Sequence, residues 1–286
     1  MGLEIVLLVV VSATIHPFWN LLLKKNPDPD LGFIIITAIM SLCALAHGLL
    51  VGTNFLAILE VLPLVAISVL GLLLYGICLA ATLKRGDLSA YYPIIRASPV
   101  FIVIVSVFFL GNTYSVLVLL GIAMTISGGF LLLFQRGSNL IGDPQTLGLA
   151  LLAMSGTGIY SLADAHMMKT VSPQAQVFVV DGLLVSIYAT LWFWRRPRER
   201  LPVVRVHDLS IVYLIVPGVL AYASYYMILL AYKLGGDVAA VTSVRQISIP
   251  ISVALGGLFL RERDMWKRFF GAGLLSIGIV AIILYG

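Results

Sequence analysis

The chain has 286 residues, of which 60 % are hydrophobic and only 11 % are charged. A soluble domain has about 25 % charged residues, so this composition excludes a water-soluble protein and predicts an integral membrane protein. The net charge of +5 does not indicate a nucleic-acid partner, because most Lys and Arg lie in short runs between apolar segments. Such runs set the orientation of membrane proteins.

Ten apolar segments are long enough to cross a bilayer, which requires about 20 helical residues. Spans 1 to 10 are predicted at residues 3–23, 31–52, 58–83, 88–110, 115–135, 146–168, 173–194, 208–233, 237–260 and 266–286. Span 1 has no basic residue before it and no small-residue cleavage site after it, so we expect a retained helix rather than a signal peptide. The predicted fold class is an all-α integral membrane protein without a soluble domain.

The basic residues are distributed unevenly between the loops. The loops after the odd-numbered spans carry 14 of the 18 Lys and Arg, whereas the other loops and the termini carry only Lys169 and Lys233. Cytoplasmic loops are the basic ones. We therefore expect a multi-pass protein of the inner (plasma) membrane, with the odd loops in the cytoplasm and both termini outside.

The two halves of the chain resemble each other. A shift of 150 residues matches Gly86 with Gly236, Asp87 with Asp237, Ser98 with Ser248, Gly121 with Gly271, and Gly128 with Gly278. A shift of 144 residues brings span 1 onto span 6. The sequence therefore predicts two five-helix repeats, at residues 1–138 and 139–286. Because five is odd, the second repeat is inverted, which is the design of many secondary transporters.

Arginine occurs inside span 4, as Arg96, and inside span 9, as Arg245. An arginine at the bilayer centre costs about 2.5–3.5 kcal/mol on insertion scales and normally faces a cavity or a partner. One interpretation is a site for an anionic or carboxylate-bearing substrate. The other is a structural ion pair to Asp164 or Asp181, or a side chain that reaches the membrane interface.

Polar residues recur on one face of spans 1 and 6. His16 precedes Asn20 by four residues, and Tyr160 precedes Asp164 by four, so each pair shares a helix face. These faces are predicted to line a polar interior. Asp164 is the candidate for proton coupling, or alternatively for neutralising an arginine. His16 precedes Pro17, so its imidazole could instead satisfy a carbonyl that the proline leaves free.

Span 8 carries four tyrosines on two faces, with Tyr222 and Tyr226 on one and Tyr225 and Tyr232 on the other. We expect one of these pairs to line the cavity and the other to pack or to lie at the membrane interface.

Other polar residues within the spans receive structural interpretations. Asp181 in span 7 is expected to pair with a basic side chain. His47 and His166 are expected at the membrane interface, and Cys43 and Cys78 are expected to be free thiols. Motifs for hydrolases, phosphate-binding loops and metal clusters are absent from the sequence. We therefore expect no enzyme activity, no cofactor and no metal.

Spans 5 and 10 are nearly devoid of polar side chains but rich in small residues. Gly121 and Gly128 lie seven residues apart in span 5, as do Gly271 and Gly278 in span 10. Small residues at such spacings favour close helix packing in membranes. These spans are predicted to be structural, and possible homodimer contacts. Pro99 and Pro250 are expected to bend spans 4 and 9.

Several motifs resemble the EamA-type branch of the drug/metabolite transporter superfamily. They are His16-x-x-Trp19-Asn20 in span 1, Tyr92-Pro-Ile-Ile-Arg96-x-Ser-Pro99 in span 4, Tyr160-Ser-x-x-Asp164 in span 6, and Arg245-Gln-x-Ser248 followed by Leu260-x-Glu262-Arg263 in span 9 and its following loop. The resemblance implies a central cavity lined by spans 1, 3, 4, 6, 8 and 9, with spans 5 and 10 peripheral. It also implies transport of small metabolites, commonly export, without ATP hydrolysis.

The chain departs from this family in two respects. The loop at residues 111–114 lacks the glutamate that is often found there. The charge distribution places both termini outside, whereas well-known relatives are usually drawn with cytoplasmic termini.

The sequence thus predicts a transporter, most simply an exporter, for a small polar metabolite that is anionic or zwitterionic. Arg96 and Arg245 are expected to hold its negative group. Further expected contacts are Asn20, Asp164, Tyr160, Tyr92, His16, Trp19 and Gln246. Because Gln246 rather than Arg245 matches Arg96 in the 150-residue shift, the site is expected to be only pseudo-symmetric. The alternatives are a flippase for a lipid-linked headgroup, a membrane enzyme using His16 and Asp164, and a non-transporting scaffold in which Arg96 pairs with Asp164.

Overall fold

The computed structural model describes residues 1–23, 29–85, 88–133, 143–195, 211–251 and 265–285, and these residues form helices without a strand among them. The helices are α1 (Leu3–Leu23), α2 (Pro29–Leu50), a 3₁₀ helix (Phe55–Val61), α3 (Leu62–Arg85), α4 (Leu88–Arg96), α5 (Ser98–Phe108), α6 (Val116–Leu133), α7 (Pro144–Met167), α8 (Pro173–Arg195), α9 (Ile211–Lys233), α10 (Val238–Val244), a 3₁₀ turn (Arg245–Ile247) and α11 (Met265–Tyr285). Helical structure resumes at residues 248–251 after that turn.

The outer surface of the bundle is apolar. Leu42, Leu70 and Ile277 leave 63 %, 64 % and 59 % of their surface exposed, as is expected for side chains that face lipid. Within the described residues, six helical segments are long and apolar enough to cross a membrane: Leu31–Leu50, Phe55–Thr82, Tyr91–Phe108, Pro144–Met167, Pro173–Trp194 and Ile215–Lys233. These segments confirm the all-helical membrane class.

Four further apolar helices are shorter within the described residues. They are Leu3–Trp19, Val116–Leu132, Val238–Ile251 and Phe270–Tyr285, and they coincide with predicted spans 1, 5, 9 and 10. The prediction of ten membrane crossings therefore stays a prediction for these four.

Span 4 is not the single helix that the hydropathy predicts, because it is broken at Ala97 between α4 and α5. Pro99 has no N–H group to donate to the carbonyl of Ile95, and its ring disfavours a regular turn there. The backbone instead closes two tighter turns, from Ala97 N to the Ile94 carbonyl (3.0 Å) and from Val100 N to the Ala97 carbonyl (3.0 Å). The 3₁₀ turn that begins at Arg245 is a similar irregularity in span 9.

Four helix pairs provide most of the packing: α1 with α9, α2 with α8, α3 with α7, and α6 with α11. In the numbering of the spans these are 1 with 8, 2 with 7, 3 with 6, and 5 with 10. These four pairs remain the same four pairs when each span of one half is replaced by the corresponding span of the other half, five places away.

The helices α6 and α11 cross at glycines. A Cβ atom on Gly128 would lie 2.4 Å from the backbone nitrogen of Leu275, and one on Gly278 would lie 2.5 Å from the carbonyl oxygen of Gly121. The two backbones are therefore in direct contact. The small residues of spans 5 and 10 pack on each other within one chain, so a homodimer through these spans would need their outward faces.

Aspartates cap two helices. Asp143 accepts hydrogen bonds from the backbone N–H groups of Gln145 and Thr146 at the start of α7, and these bonds together with the Thr146 hydroxyl lower its pKa. Asp237 caps α10 through Ala240 N (2.9 Å) and accepts a further bond from the Tyr114 hydroxyl (3.0 Å). The second Gly-Asp pair of the repeat is thus a helix start signal.

Candidate functional site: a polar core at the helix breaks

Arg96 is the last residue of α4, directly before the break at Ala97. Its Nη2 donates to the hydroxyl of Ser248 (2.8 Å), while the side chain of Gln246 donates to the Arg96 carbonyl (2.8 Å). That carbonyl lacks its usual helical donor because Val100 N bonds Ala97 instead. The break in the first half is therefore stabilised by two residues of the second half.

Arg245 occupies the corresponding irregular turn of the second half. Its guanidinium group lies within interaction range of the hydroxyl groups of Tyr160, Tyr225 and Tyr232. Within the described residues, neither Arg245 nor Arg96 forms an ion pair with a carboxylate. The ion pair to Asp164 or Asp181 that the sequence left open is thus not formed in this part of the chain.

Asp164 is fully buried in α7 and accepts three side-chain hydrogen bonds. Ser68 of α3 (2.6 Å) and Gln176 of α8 (2.9 Å) both donate to its Oδ1 atom, and Tyr225 of α9 donates to its Oδ2 atom. Arg245 lies close enough for its charge to act on this carboxylate. Asp164 therefore connects three neighbouring helices to the polar core.

His16 and Tyr75 each lie within electrostatic range of both arginines. The ring of His16 packs edge-on against Trp19, with a centroid distance of 4.9 Å. The ring of Tyr75 packs edge-on against Tyr160, with a centroid distance of 6.4 Å, and Tyr75 also lies within electrostatic range of Tyr92. The predicted site residues of α1, α4, α7 and the 3₁₀ turn thus meet in one region.

The side chain of Asn20 lies outside the described residues. The structure describes the side chains of all the other predicted site residues. Sequence reasoning missed Ser68, Tyr75 and Gln176, which lie in apolar or weakly polar stretches. The one sequence feature that could have identified them is a polar side chain on an otherwise apolar helix face.

The tyrosines of α9 separate as their two helix faces predict. Tyr225 and Tyr232 face the polar core, whereas Tyr222 and Tyr226 pack against His47 of α2. The Nδ1 atom of His47 lies 2.8 Å from the Tyr222 hydroxyl. His47, which was expected at the membrane interface, therefore has a hydrogen-bond partner on a neighbouring helix.

His166 and Asp181 also have surroundings that can be compared with the expectation from the sequence. His166 was expected at the membrane interface, and its Nδ1 atom lies 3.1 Å from the Leu162 carbonyl oxygen of its own helix. Asp181 was expected to pair with a basic side chain, but none within the described residues lies at ion-pair distance, and the charge that acts on it is that of Asp164.

The polar core is closely packed. A cavity of about 10 Å³ lies beside Arg96, which is room for roughly one water molecule. Its walls are Pro93, Arg96, Ala97, Thr125, Ile126, Gly129, Gln246 and Ile249. Within the described residues, the buried Nε of Arg96, Nε1 of Trp19 and Oε1 of Gln246 have no hydrogen-bond partner. Buried polar atoms are rarely unpaired, and Arg96 and Gln246 both line this cavity.

Residues 145–284 match the EamA-like transporter family. The second half of the chain is therefore similar to that family, which confirms the resemblance predicted from the motifs. No curated protein sequence matches the chain significantly. One solved crystal structure of a protein superposes with a TM-score of 0.77 at 16 % sequence identity, covering 98 % of this chain and 96 % of that chain. This likeness extends over both halves and concerns the fold alone.

Proposed function

We propose that the chain is a secondary transporter that exports a small polar metabolite, anionic or zwitterionic, because residues 145–284 match the EamA-like transporter family. Its two halves rock around the polar core, so that the site opens to one side of the membrane at a time. The activity requires neither a cofactor nor a catalytic residue. The localisation that fits is the inner (plasma) membrane.

The observation that carries this proposal is the pair of partly buried arginines at helix breaks. Arg96 and Arg245 stand within an apolar bundle, and neither has a carboxylate partner among the described residues. A guanidinium group at this depth is stabilised by an anion or by water. Interrupted helices near the membrane midplane form the substrate sites of many secondary transporters.

The packing supports an inverted repeat with halves at residues 1–138 and 139–286. The four main helix pairs keep their identity when the halves are exchanged. At the crossing of α6 and α11, Gly121 faces Gly278, and Gly128 faces Gly271. The 150-residue shift converts the first of these contacts into the second, as a two-fold axis between the halves requires.

The scaffold alternative requires Arg96 to pair with Asp164. In the structure Arg96 donates to Ser248, and Asp164 is bonded by Ser68, Gln176 and Tyr225. These contacts favour transport over the scaffold. The flippase and the membrane enzyme remain as outcomes that the experiment below distinguishes.

The test compares metabolite release from cells that overproduce the protein with release from cells that lack it. We expect faster release of one or a few small polar metabolites, and a loss of about 10- to 100-fold in Arg96→Gln and Arg245→Gln, because a charged hydrogen bond contributes about 1.5–3 kcal/mol. Arg85→Gln is the matched control, since Arg85 lies at the exposed end of α3, and within the described residues its side-chain hydrogen bond is to Gln145.

Normal release by both core variants, with wild-type amounts in the membrane, contradicts the role of the arginines. Proteoliposomes loaded with the released compound then separate the alternatives. Chemical conversion of the compound indicates an enzyme, and movement of a lipid-linked compound alone indicates a flippase.

A further inference from the structure

Two buried carboxyl groups lie on neighbouring helices beside the polar core. Asp164 on α7 is 0 % exposed and Asp181 on α8 is 8 % exposed. They are close enough for their charges to interact. Two ionised carboxylates in an apolar environment repel each other, so one member of such a pair tends to hold a proton.

The hydrogen-bond partners of Asp164 favour its ionised form. Its two oxygens accept bonds from Ser68, Gln176 and Tyr225, and hydrogen bonds to a carboxylate favour the charged state. Arg245 adds an attractive positive charge. All three groups donate to Asp164, so a proton on Asp164 would require one of these bonds to reverse or break.

The surroundings of Asp181 offer none of these interactions. Within the described residues it has no hydrogen-bond partner and no basic group at ion-pair distance, and the one charge that reaches it is that of Asp164. Tyr188, two turns further along α8, is the other titratable group in range. On α2, which packs along α8, the neighbouring hydroxyl of Ser41 already donates to the Phe178 carbonyl (2.9 Å).

A second observation points to a bound donor in this region. Gln176 is 0 % exposed, and its amide nitrogen donates to Asp164, while its buried Oε1 atom has no hydrogen-bond partner within the described residues. This unpaired acceptor, on a side chain that bonds Asp164, matches the O–H of a water molecule.

We propose that Asp181 is a proton-binding site of this protein, and that Asp164 stays ionised. In the closed structure Asp181 carries the proton. When the halves open and water reaches α8, the O–H bond of Asp181 breaks, the proton passes to a water molecule, and a carboxylate remains. Coupling of this proton to export rests on the proposed function, whereas protonation of Asp181 itself does not.

The test is infrared spectroscopy of the purified full chain in lipid nanodiscs at neutral pH. The wild type should show the C=O stretching band of a protonated carboxyl group, and Asp181→Asn should lose it. Asp237→Asn is the matched control, because Asp237 lies on a different helix, where it accepts bonds from Ala240 N and the Tyr114 hydroxyl. It should retain the band.

Persistence of the band in Asp181→Asn, or its absence in the wild type, overturns the proposal. Asp181→Asn resembles the neutral acid in shape and should fold, and labelling the aspartate side chains with ¹³C identifies the band as an aspartate independently of any variant. Failure of the release assay in the wild type would overturn the proposed function and leave the infrared result standing.

Discussion

At the scale of single residues, the two buried aspartates differ in what their oxygens contact. Asp164 faces three donors, and Asp181 faces none within the described residues. The sequence singled out Asp164 through its match to span 1, but it could not rank the two acids. Donors such as Ser68 and Tyr225 come from helices far away in the chain, and only packing brings them to Asp164.

This difference predicts that the substitution of aspartate by asparagine changes stability at Asp164 but not at Asp181. Asp164→Asn places an NH₂ group against donors, which leaves buried groups unpaired and should reduce stability by about 1–3 kcal/mol. Asp181→Asn should change stability little, because no donor has to be displaced. The measurement is the midpoint of unfolding in mixed micelles as the denaturing detergent is increased. Equal losses in the two variants would contradict the assigned surroundings.

At the scale of helices, the decisive features are breaks and close crossings. The prolines of spans 4 and 9 are visible in the sequence, and a bend near Pro99 was expected from the missing N–H group. The sequence did not predict that Gln246 would bond the freed carbonyl of Arg96 (2.8 Å). That contact joins residues 150 positions apart and depends on how the two halves meet.

The crossing of α6 and α11 gives a prediction with an internal control. Gly278→Ala places a Cβ atom 2.5 Å from the carbonyl oxygen of Gly121, so the helices must separate, at a cost of about 1–3 kcal/mol. Gly273→Ala, on the same helix, has nothing within 4 Å of the new Cβ atom. It should be neutral or slightly stabilising.

The measurement is the melting temperature in detergent together with the fraction of monodisperse protein. A loss in Gly273→Ala as large as that in Gly278→Ala would mean that glycine is needed for flexibility rather than for close contact.

At the scale of the whole molecule, the crossing of α1 and α9 joins the two halves. The hydroxyl oxygens of Ser12 and Ser224 lie 3.0 Å apart, and each hydroxyl also bonds the backbone carbonyl of the other residue. Both residues are buried. Any rocking of one half against the other changes the geometry of such a contact unless the two helices move together.

A disulfide between Ser12→Cys and Ser224→Cys tests this movement, in a chain whose native Cys43 and Cys78 are replaced by alanine. Its formation should be efficient, since the two oxygens are 3.0 Å apart and a small shift brings sulfur atoms at these positions to the S–S bond length of about 2.05 Å. We expect oxidation to stop release and reduction to restore it. The single cysteine variants are the controls. Full release by the cross-linked protein would show that α1 and α9 do not separate during transport.

The sequence by itself indicated the membrane environment, the all-helical class and the resemblance to the EamA-like family, because composition, span length and local motifs reflect the apolar environment directly. It also identified Arg96, Asp164 and Arg245 as unusual, since a charge within an apolar span is costly wherever its partners lie. Only the tertiary structure decided what surrounds them. Hydrogen-bond partners come from helices remote in the chain, and whether a buried acid faces donors or apolar groups follows from packing that no local pattern records.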